Sequence, residues 1–553
     1  MICNLQSFPA FPSEDVLPVC ELDGKVQYID INNVQLSIFT DVCANHPVIN
    51  ISRESIHTTR QETHSSLTLF LPDNDSLWKK LQITWYEHGA LDSLQIVASA
   101  PECPPFVQSF AEKIVNFLLL ANSFIPILKK KENEISSLPK YAQTREWKTS
   151  LIRALAWHPH CTKIAVCSID DSVKVFYANS SHAPVIKHQR QRNVTCLAWR
   201  PLSSSELAVG CSAGICLWTI DPTSTMTRPS SSCLTVLSSP NHNNVTSLSW
   251  HSEGKLLVSG SAFDRIMYVW NVDSQEGVPL WRLGGGGVSL VSYCPSNERV
   301  FAATTNIVFR IWNTKEWQCD RWSMSSGHVN NACWSPCGSI VLFTTTSEAA
   351  IYALTFSQHY SLFNTPSVED KKSAVVVADL TPYELSSGER QKMRLIGGDI
   401  VGMTWDSRGR HLAVSFVNSD VIAVFITNIA PKIHLSRCCL IKGYPSEIPS
   451  IISFQSNFAD GANLTIGWSS GRVQYFPFVY VDIQNSTADK QLMNQTKRNL
   501  FANKTGFKDS GQFINSSNLH STYNSSDVTL SSLAQASTSH YNDSILFSPQ
   551  RNY

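Results

Sequence analysis

Four groups of residues in this 553-residue chain are of types that could do chemistry. Cys333 and Cys337, in "CWSPC", have the look of half a metal site. No second cysteine pair and no histidine partner follows them, so a structural role is favoured. Gly284 to Gly287, "GGGG", has no Gly-Lys-Ser/Thr after it and no strand–loop–helix context, so it reads as a loop rather than a phosphate cradle. Lys187 to Arg192, "KHQRQR", is basic but carries no interleaved aromatic. A solvated loop or a contact for an acidic partner fits it better than a nucleic-acid site. The fourth group is His242, Ser259 or Ser261, Asp264 and Trp270, around "VSGSAFDRIMYVW". These types could form a relay of donors and acceptors. In a sheet protein, such groups more often satisfy one another inside the core. No His-Glu-x-x-His, Gly-x-Ser-x-Gly or kinase signature occurs.

The elements that must position His242 and Asp264 come in a repeat. Apolar runs ending in an aromatic recur at Phe176, Trp218, Trp270, Trp312, Leu354, Phe425 and Phe476, in steps of 42, 52, 42, 42, 71 and 51. A second motif, as in "LAWHP", ends at Trp157, Trp199, Trp250, Tyr293, Trp334, Trp405 and Phe454, in steps of 42, 51, 43, 41, 71 and 49. Two ladders on one beat near 40–45 residues are the mark of propeller blades. Each blade is a small twisted sheet that must stack on its neighbours to bury both faces. The expected fold is therefore all-β: a seven-bladed WD40-type β-propeller over 141–484. The long steps are insertions, one after Trp218 and a larger one between Phe356 and Gly402 that still holds a strand-like "AVVVADL". The blade anchors are Trp157, Trp199, Trp250, Trp334 and Trp405 in one ladder and Trp218, Trp270 and Trp312 in the other. Asp264, six residues before Trp270, and His242 join them. In such rings an N-terminal segment usually completes the last blade, so a stretch before Trp157 should pair with the blade of Trp468 and Phe476. The local rival is "VYVDI" at 479–483.

Residues 1–140 do not follow the beat and form an extension. "KVQYIDI" and "VQLSIFT" read as strands. A helix should start after Pro105, with a stripe through Phe106, Phe110, Ile114, Phe117, Leu118, Ala121, Phe124, Ile125 and Leu128, and Pro126 should kink or end it. The stripe can pack on the propeller, dock on a partner, or lie on a membrane surface beside Lys129, Lys130 and Lys131. It is too short to span a bilayer. Residues 485–553, rich in Ser, Asn and Thr, are expected to be disordered.

Lys+Arg and Asp+Glu are both 44, so the chain is neutral and carries no nucleic-acid footprint. Charged residues make up 16%, against the usual quarter, which suits a surface that meets partners. Sixteen cysteines are scattered, many inside strand-like runs where a thiol acts as a small apolar residue. The opening "MICNLQSFPAFPSEDVLP" lacks a basic start and an apolar core, and a reducing cytosolic or nuclear compartment is expected.

The chain resembles the aladin family of WD-repeat nucleoporins. "LAWHPH", "DDSVKVF", "QRNVTCLAWRPL", "ICLWTIDPTSTMTRPSSSC", "VFRIWNTKEWQCDRW" and "IGWSSGRVQYFPF" carry the resemblance, over about 145–480. It implies a non-catalytic scaffold of the nuclear pore complex at the nuclear envelope. Such a scaffold is tethered through a transmembrane nucleoporin, supports protein import and is associated with the mitotic spindle. It implies other nucleoporins as partners, only indirect membrane contact, and no nucleic acid, small-molecule substrate, cofactor or metal. The tail does not resemble the family's Pro-rich end, and no Phe-Gly dipeptide occurs anywhere. The rival class is a WD40 adaptor of another complex, a ubiquitin-ligase substrate receptor or a trafficking coat subunit. A propeller enzyme would need convergent carboxylates or histidines at the channel mouth, and the sequence shows none.

Overall fold

A computed structural model describes residues 2–9, 16–30, 48–57, 103–124 and 134–480, apart from short breaks and a longer one at 357–373. The "VQLSIFT" strand, Pro126, residues 222–226 of the loop after Asp221 and the Ser/Asn/Thr-rich tail lie outside the described residues.

Seven sheets of four or five strands, antiparallel but for one parallel pair in each of two, form the ring, a seven-bladed β-propeller. The blades occupy 152–186, 196–237, 247–281, 288–323, 329–379, 400–442 and 449–479. In blades one to six, strands a to d run outward in sequence order. Strands a to c are rich in Val, Ile, Leu and Ala and bury both faces between neighbouring blades. The b strand His411–Phe416 and the b strand Gly461–Trp468 are buried throughout. The d strands are half-polar and rim-exposed, as in Glu276–Trp281 and Gln318–Ser323. The insertion after Phe356 is more than a loop. Val375–Asp379 is the d strand of blade five, and Tyr383–Ser387 and Lys392–Ile396 form a hairpin beyond it.

The N-terminal extension closes the ring. Strand β1 (Cys3–Asn4) pairs in parallel with the outer strand of blade five, Cys3 opposite Ala378. Phe8 then meets Phe425 of blade six edge to face at 5.3 Å. Strand β2 (Val16–Leu22) pairs in parallel with the c strand of blade seven, Glu21 opposite Phe478 and Leu22 opposite Val479. Strand β3 (Lys25–Asp30), within the expected "KVQYIDI", hairpins back on β2. The N-terminal donor therefore supplies the fourth strand of blade seven. Helix α1 (Arg53–His57) follows, and Ile49, Ile51 and Ile56 fill the seam between blades seven and one, against Ile152, Trp157 and Ile451.

Helix α2 (Pro105–Phe124) starts where the proline predicts, since Pro at the first turn gives up no needed N–H. Its covered face differs from the expected stripe. Phe106 and Phe110 are 74% and 66% exposed, while Ala111 and Val115 are buried. The burial follows an i, i+4 row one residue along from the two phenylalanines.

Candidate functional site

The relay around Trp270 exists, and its burial decides what it does. His242 Nδ1 lies 3.1 Å from Asp264 Oδ2, and His242 Nε2 lies 2.8 Å from Ser259 Oγ. Trp270 Nε1–H donates to the same Ser259 oxygen at 2.8 Å. Ser261 takes another part: its hydroxyl donates to the carbonyls of Asn243 and Asn244, and its oxygen receives the Phe263 N–H. Asp, His and Ser in line resemble a hydrolase triad. Yet Ser259 and His242 are both 0% exposed, so no substrate reaches the hydroxyl. Asp264 also receives the Ile266 N–H at 3.1 Å, which fixes the b–c turn. The set joins the d–a connection, strand b (Leu256–Gly260) and strand c (Ile266–Asn271) of blade three. Trp270 lies flat on Gly277 of strand d, where an added Cβ would come within 2.6 Å of the indole.

The other anchors are buried as well. Trp199, Trp250 and Trp334 donate their indole N–H to Ala156, Ala198 and Ser292 carbonyls of the preceding blade, at 3.0, 3.1 and 3.1 Å. Trp157 and Trp405 donate instead to the hydroxyls of Thr465 and Thr427, at 2.9 and 3.0 Å. Trp218 donates to Gln191 Oε1 at 2.8 Å, and Gln191 Nε2 donates to the Asp171 carbonyl at 2.7 Å. Gln191 thus accepts the indole proton in blade two, as Ser259 does in blade three, and ties it to the b–c turn of blade one. It was hidden in "KHQRQR", whose Lys187, Arg190 and Arg192 are exposed. Trp312 packs with Val300 and Tyr293 in the core between blades three and four.

Residues 134–147 lie across one end of the ring. Gln143 N–H donates to Thr195 O at 3.0 Å, and Trp147 Nε1–H to Val194 O at 2.8 Å, both at the inner edge of blade two. Gln143 Nε2 reaches Leu155 O in blade one at 3.1 Å. Arg145 donates to Asn330 of blade five, and Tyr141 packs edge to face on Phe263 of blade three. A segment that touches the inner strands of blades two and five must cross the ring axis. Leu138, Ala142 and Trp147 are buried in this plug. Beside it is a cleft lined by Lys140, Arg145, His328, Asn330, Asp399 and Val417. Burial lowers the Arg145 pKa to about 10, and burial with the nearby Arg145 and Lys140 charges lowers that of His328. The cleft therefore favours an uncharged imidazole. The chain itself covers the face that carries the d–a and b–c connections, where a propeller enzyme would build its site. The opposite face, of a–b and c–d turns, carries a groove lined by His251, Glu253, Lys255, Asn271 and Asp273 of blade three.

Cys333 and Cys337 do not come together with other ligands. Cys333 lies in strand a of blade five, its pKa raised by burial, and Cys337 is exposed in the next turn. All fifteen cysteines among the described residues are free thiols. What the fold does bring together is Glu21, His411 and Cys438. No spacing marks this trio in the sequence: Glu21 and Cys438 stand 417 positions apart. Burial opposes the charged form of His411, but Cys438 and Glu21 beside it more than compensate and raise its pKa to about 9. Burial likewise opposes ionisation of Glu21, and contacts from His411 and Cys438 outweigh it and leave the pKa below the ordinary value. Among the described residues, no helix is long and apolar enough to cross a membrane.

Residues 133–479 match the family described as the Aladin seven-bladed propeller. That stretch begins just before the plug, so the segment across the axis belongs to the family's own domain. Aladin of Arabidopsis thaliana is 28% identical over 359 residues, covering 60% of this chain and 76% of that protein. Protein transport protein Sec31B of Mus musculus is 28% identical over 162 residues, 28% of this chain and 13% of that protein.

Proposed function

Because the chain belongs to the aladin family of seven-bladed propellers, we propose that it is a non-catalytic scaffold of the nuclear pore complex that supports nucleocytoplasmic protein transport. The family match over the whole ring carries this reading. The buried Ser259 supports the non-catalytic part, since no substrate reaches its hydroxyl. The scaffold sits at the nuclear envelope, meets other nucleoporins, and is anchored through a transmembrane nucleoporin. A role at the mitotic spindle belongs to the same reading. Docking falls to the propeller, with its loops at 221–233 and 357–372, rather than to the tail. The exposed Phe106 and Phe110 of α2 are the alternative dock. The partial likeness to Sec31B covers 13% of that protein and supports a shared blade pattern more than a coat role.

The test is the address of the fluorescently tagged full chain in cells. A nuclear rim is expected, and diffuse or vesicular signal would overturn the reading in favour of another adaptor. Removal of 485–553 should leave the rim, and shortening the two loops should weaken it. Loss of the rim on tail removal, with the ring still folded, would move the anchor to the tail.

A further inference from the structure

We propose that Glu21, His411 and Cys438 form a binding site for a divalent zinc-class metal ion that clasps the closing N-terminal strand to blade six.

The trio comes from three places. Glu21 is on β2, the strand that completes blade seven. His411 opens the b strand of blade six, and Cys438 is on its d strand His434–Lys442. All three ligand atoms lie within 4.8 Å of one another. His411 Nε2 is 3.4 Å from Glu21 Oε2, and Cys438 Sγ is 3.2 Å from the same oxygen. With metal bonds of about 2.0 Å to nitrogen and oxygen and about 2.3 Å to sulfur, tetrahedral ligand edges run at about 3.3–3.6 Å. The observed separations lie close to those edges. Thiolate, imidazole and carboxylate together suit zinc better than magnesium or calcium, which take oxygen ligands.

The imidazole is oriented for the role. Tyr480 Oη donates to Asp406 Oδ2 at 2.8 Å, so its oxygen is free to accept. His411 Nδ1 sits 2.6 Å from that oxygen, which places the ring proton on Nδ1. Nε2 then turns its lone pair toward Glu21 and Cys438. It is buried, and no group meets it in hydrogen-bonding geometry. A lone pair facing a carboxylate is repulsive unless a cation stands between them. That cation is either a proton on Nε2 or a metal ion. The Tyr480–Asp406 pair matches the outer shell that metal-bound histidines carry. Arg410 lies 4.7 Å from the Tyr480 ring, and its backbone N–H donates to Asp406 Oδ1 at 2.6 Å. Glu21 and His411 are closed off by the fold, while Cys438 is half-buried. On binding, the Cys438 thiol and a protonated His411 Nε2 each give a proton to solvent, and the sulfur and the ring nitrogen join the Glu21 carboxylate as ligands.

The experiment uses the purified full chain, reduced and stripped with a chelator, then titrated with zinc alone against a chromophoric competitor. One tight equivalent per chain is expected. Cys438→Ser and Glu21→Gln should weaken it at least tenfold, and Cys337→Ser, a thiol outside the cluster, should leave it unchanged. Tyr480→Phe should weaken zinc about tenfold as a positioning change. Cobalt in place of zinc should show thiolate-to-metal charge-transfer absorption that Cys438→Ser abolishes. Zinc should raise the melting temperature of the wild type and of Cys337→Ser, and not of Cys438→Ser. Zinc-free melting of Cys438→Ser, matched to wild type, checks that this variant folds. No tight equivalent in the wild type would overturn the proposal and leave His411 and Glu21 as an ion pair. Equal affinity in Cys438→Ser, or loss in Cys337→Ser instead, would overturn it too.

Discussion

Blades two to four and blades five to seven solve one packing problem in different ways. In the first group every strand comes from the blade's own hairpins, in sequence order. In the second, two of three blades take a strand from the first 22 residues of the chain. The first group leans on indoles: Trp199 and Trp250 reach a carbonyl of the blade before, a pattern that ends with Trp334 of blade five. The second leans on side-chain groups, with Trp405 on Thr427, His411 between Tyr480 and Glu21, and Arg472 on Glu447. A ring grown from local hairpins needs one non-local step to close. That step gathers buried charge at the seam, because strands from distant places meet there without a repeating register to hold them.

The sharpest way to break this comparison is to remove the strap. Deleting residues 1–22 takes away β1, β2, Leu5 and Phe8, of which the two apolar side chains alone are worth about 2–5 kcal/mol each. We expect a loss beyond that of any single substitution, seen as an early denaturant transition in which hydrogen exchange opens blades five to seven first. Equal opening of blades two to four would show that the ring unfolds as one body.

Trp270→Ala should cost about 3–5 kcal/mol, as a buried aromatic truncated between blades two and three. Here the damage should begin in blades two and three, the reverse of the strap deletion. If the variant melts normally but leaves the nuclear rim, Trp270 is a contact for a partner instead.

Ser259→Ala should cost about 2 kcal/mol, measured by denaturant titration, since it strips both His242 Nε2 and Trp270 Nε1 of a buried partner. A near-zero change would mean that His242 turns to another acceptor. It would demote the relay from an anchor to a filler.

The two halves also differed in how far the sequence revealed them. Strands a and c announce themselves because they are buried on both faces and end in an aromatic, and Trp218, Trp270 and Trp312 mark them. Strand d is half-exposed and mixed, as in "QCDRWS", so no apolar run signals it. Strand β2, "VLPVCEL", holds Pro18, which argues against a strand until one sees it beside a register shift, where β2 pairs with β3 and not yet with blade seven. The helix stripe slipped by one residue because Phe106 and Phe110 are apolar yet exposed. Gln191 was masked by its basic neighbours. The Glu21, His411 and Cys438 trio has no spacing to read, since only the closed ring makes it a cluster.

The smallest effect concerns acid, and it falls on the closing half. Glu447 is buried beside Arg472, whose Nη2 stands 2.6 Å from its carboxylate. The same guanidinium packs over Tyr444 and Trp468, at 4.5 and 5.3 Å. Burial opposes the Glu447 charge, but Arg472, the Ser470 hydroxyl and the Tyr444 N–H together hold its pKa below the ordinary carboxylate value. A depressed carboxylate pKa stabilises the fold above the unfolded pKa, about 4.3 for Glu, and that gain is lost as pH falls through the folded value. Wild type should therefore lose melting temperature from about pH 5 downward, while Glu447→Gln, lower at neutral pH, should show a shallower acid slope. The two curves should converge at low pH, and hydrogen exchange should report the loss in blade seven before blade three. Parallel curves down to the acid limit would mean that Arg472 holds Tyr444 and Trp468 by stacking alone, with Glu447 a bystander.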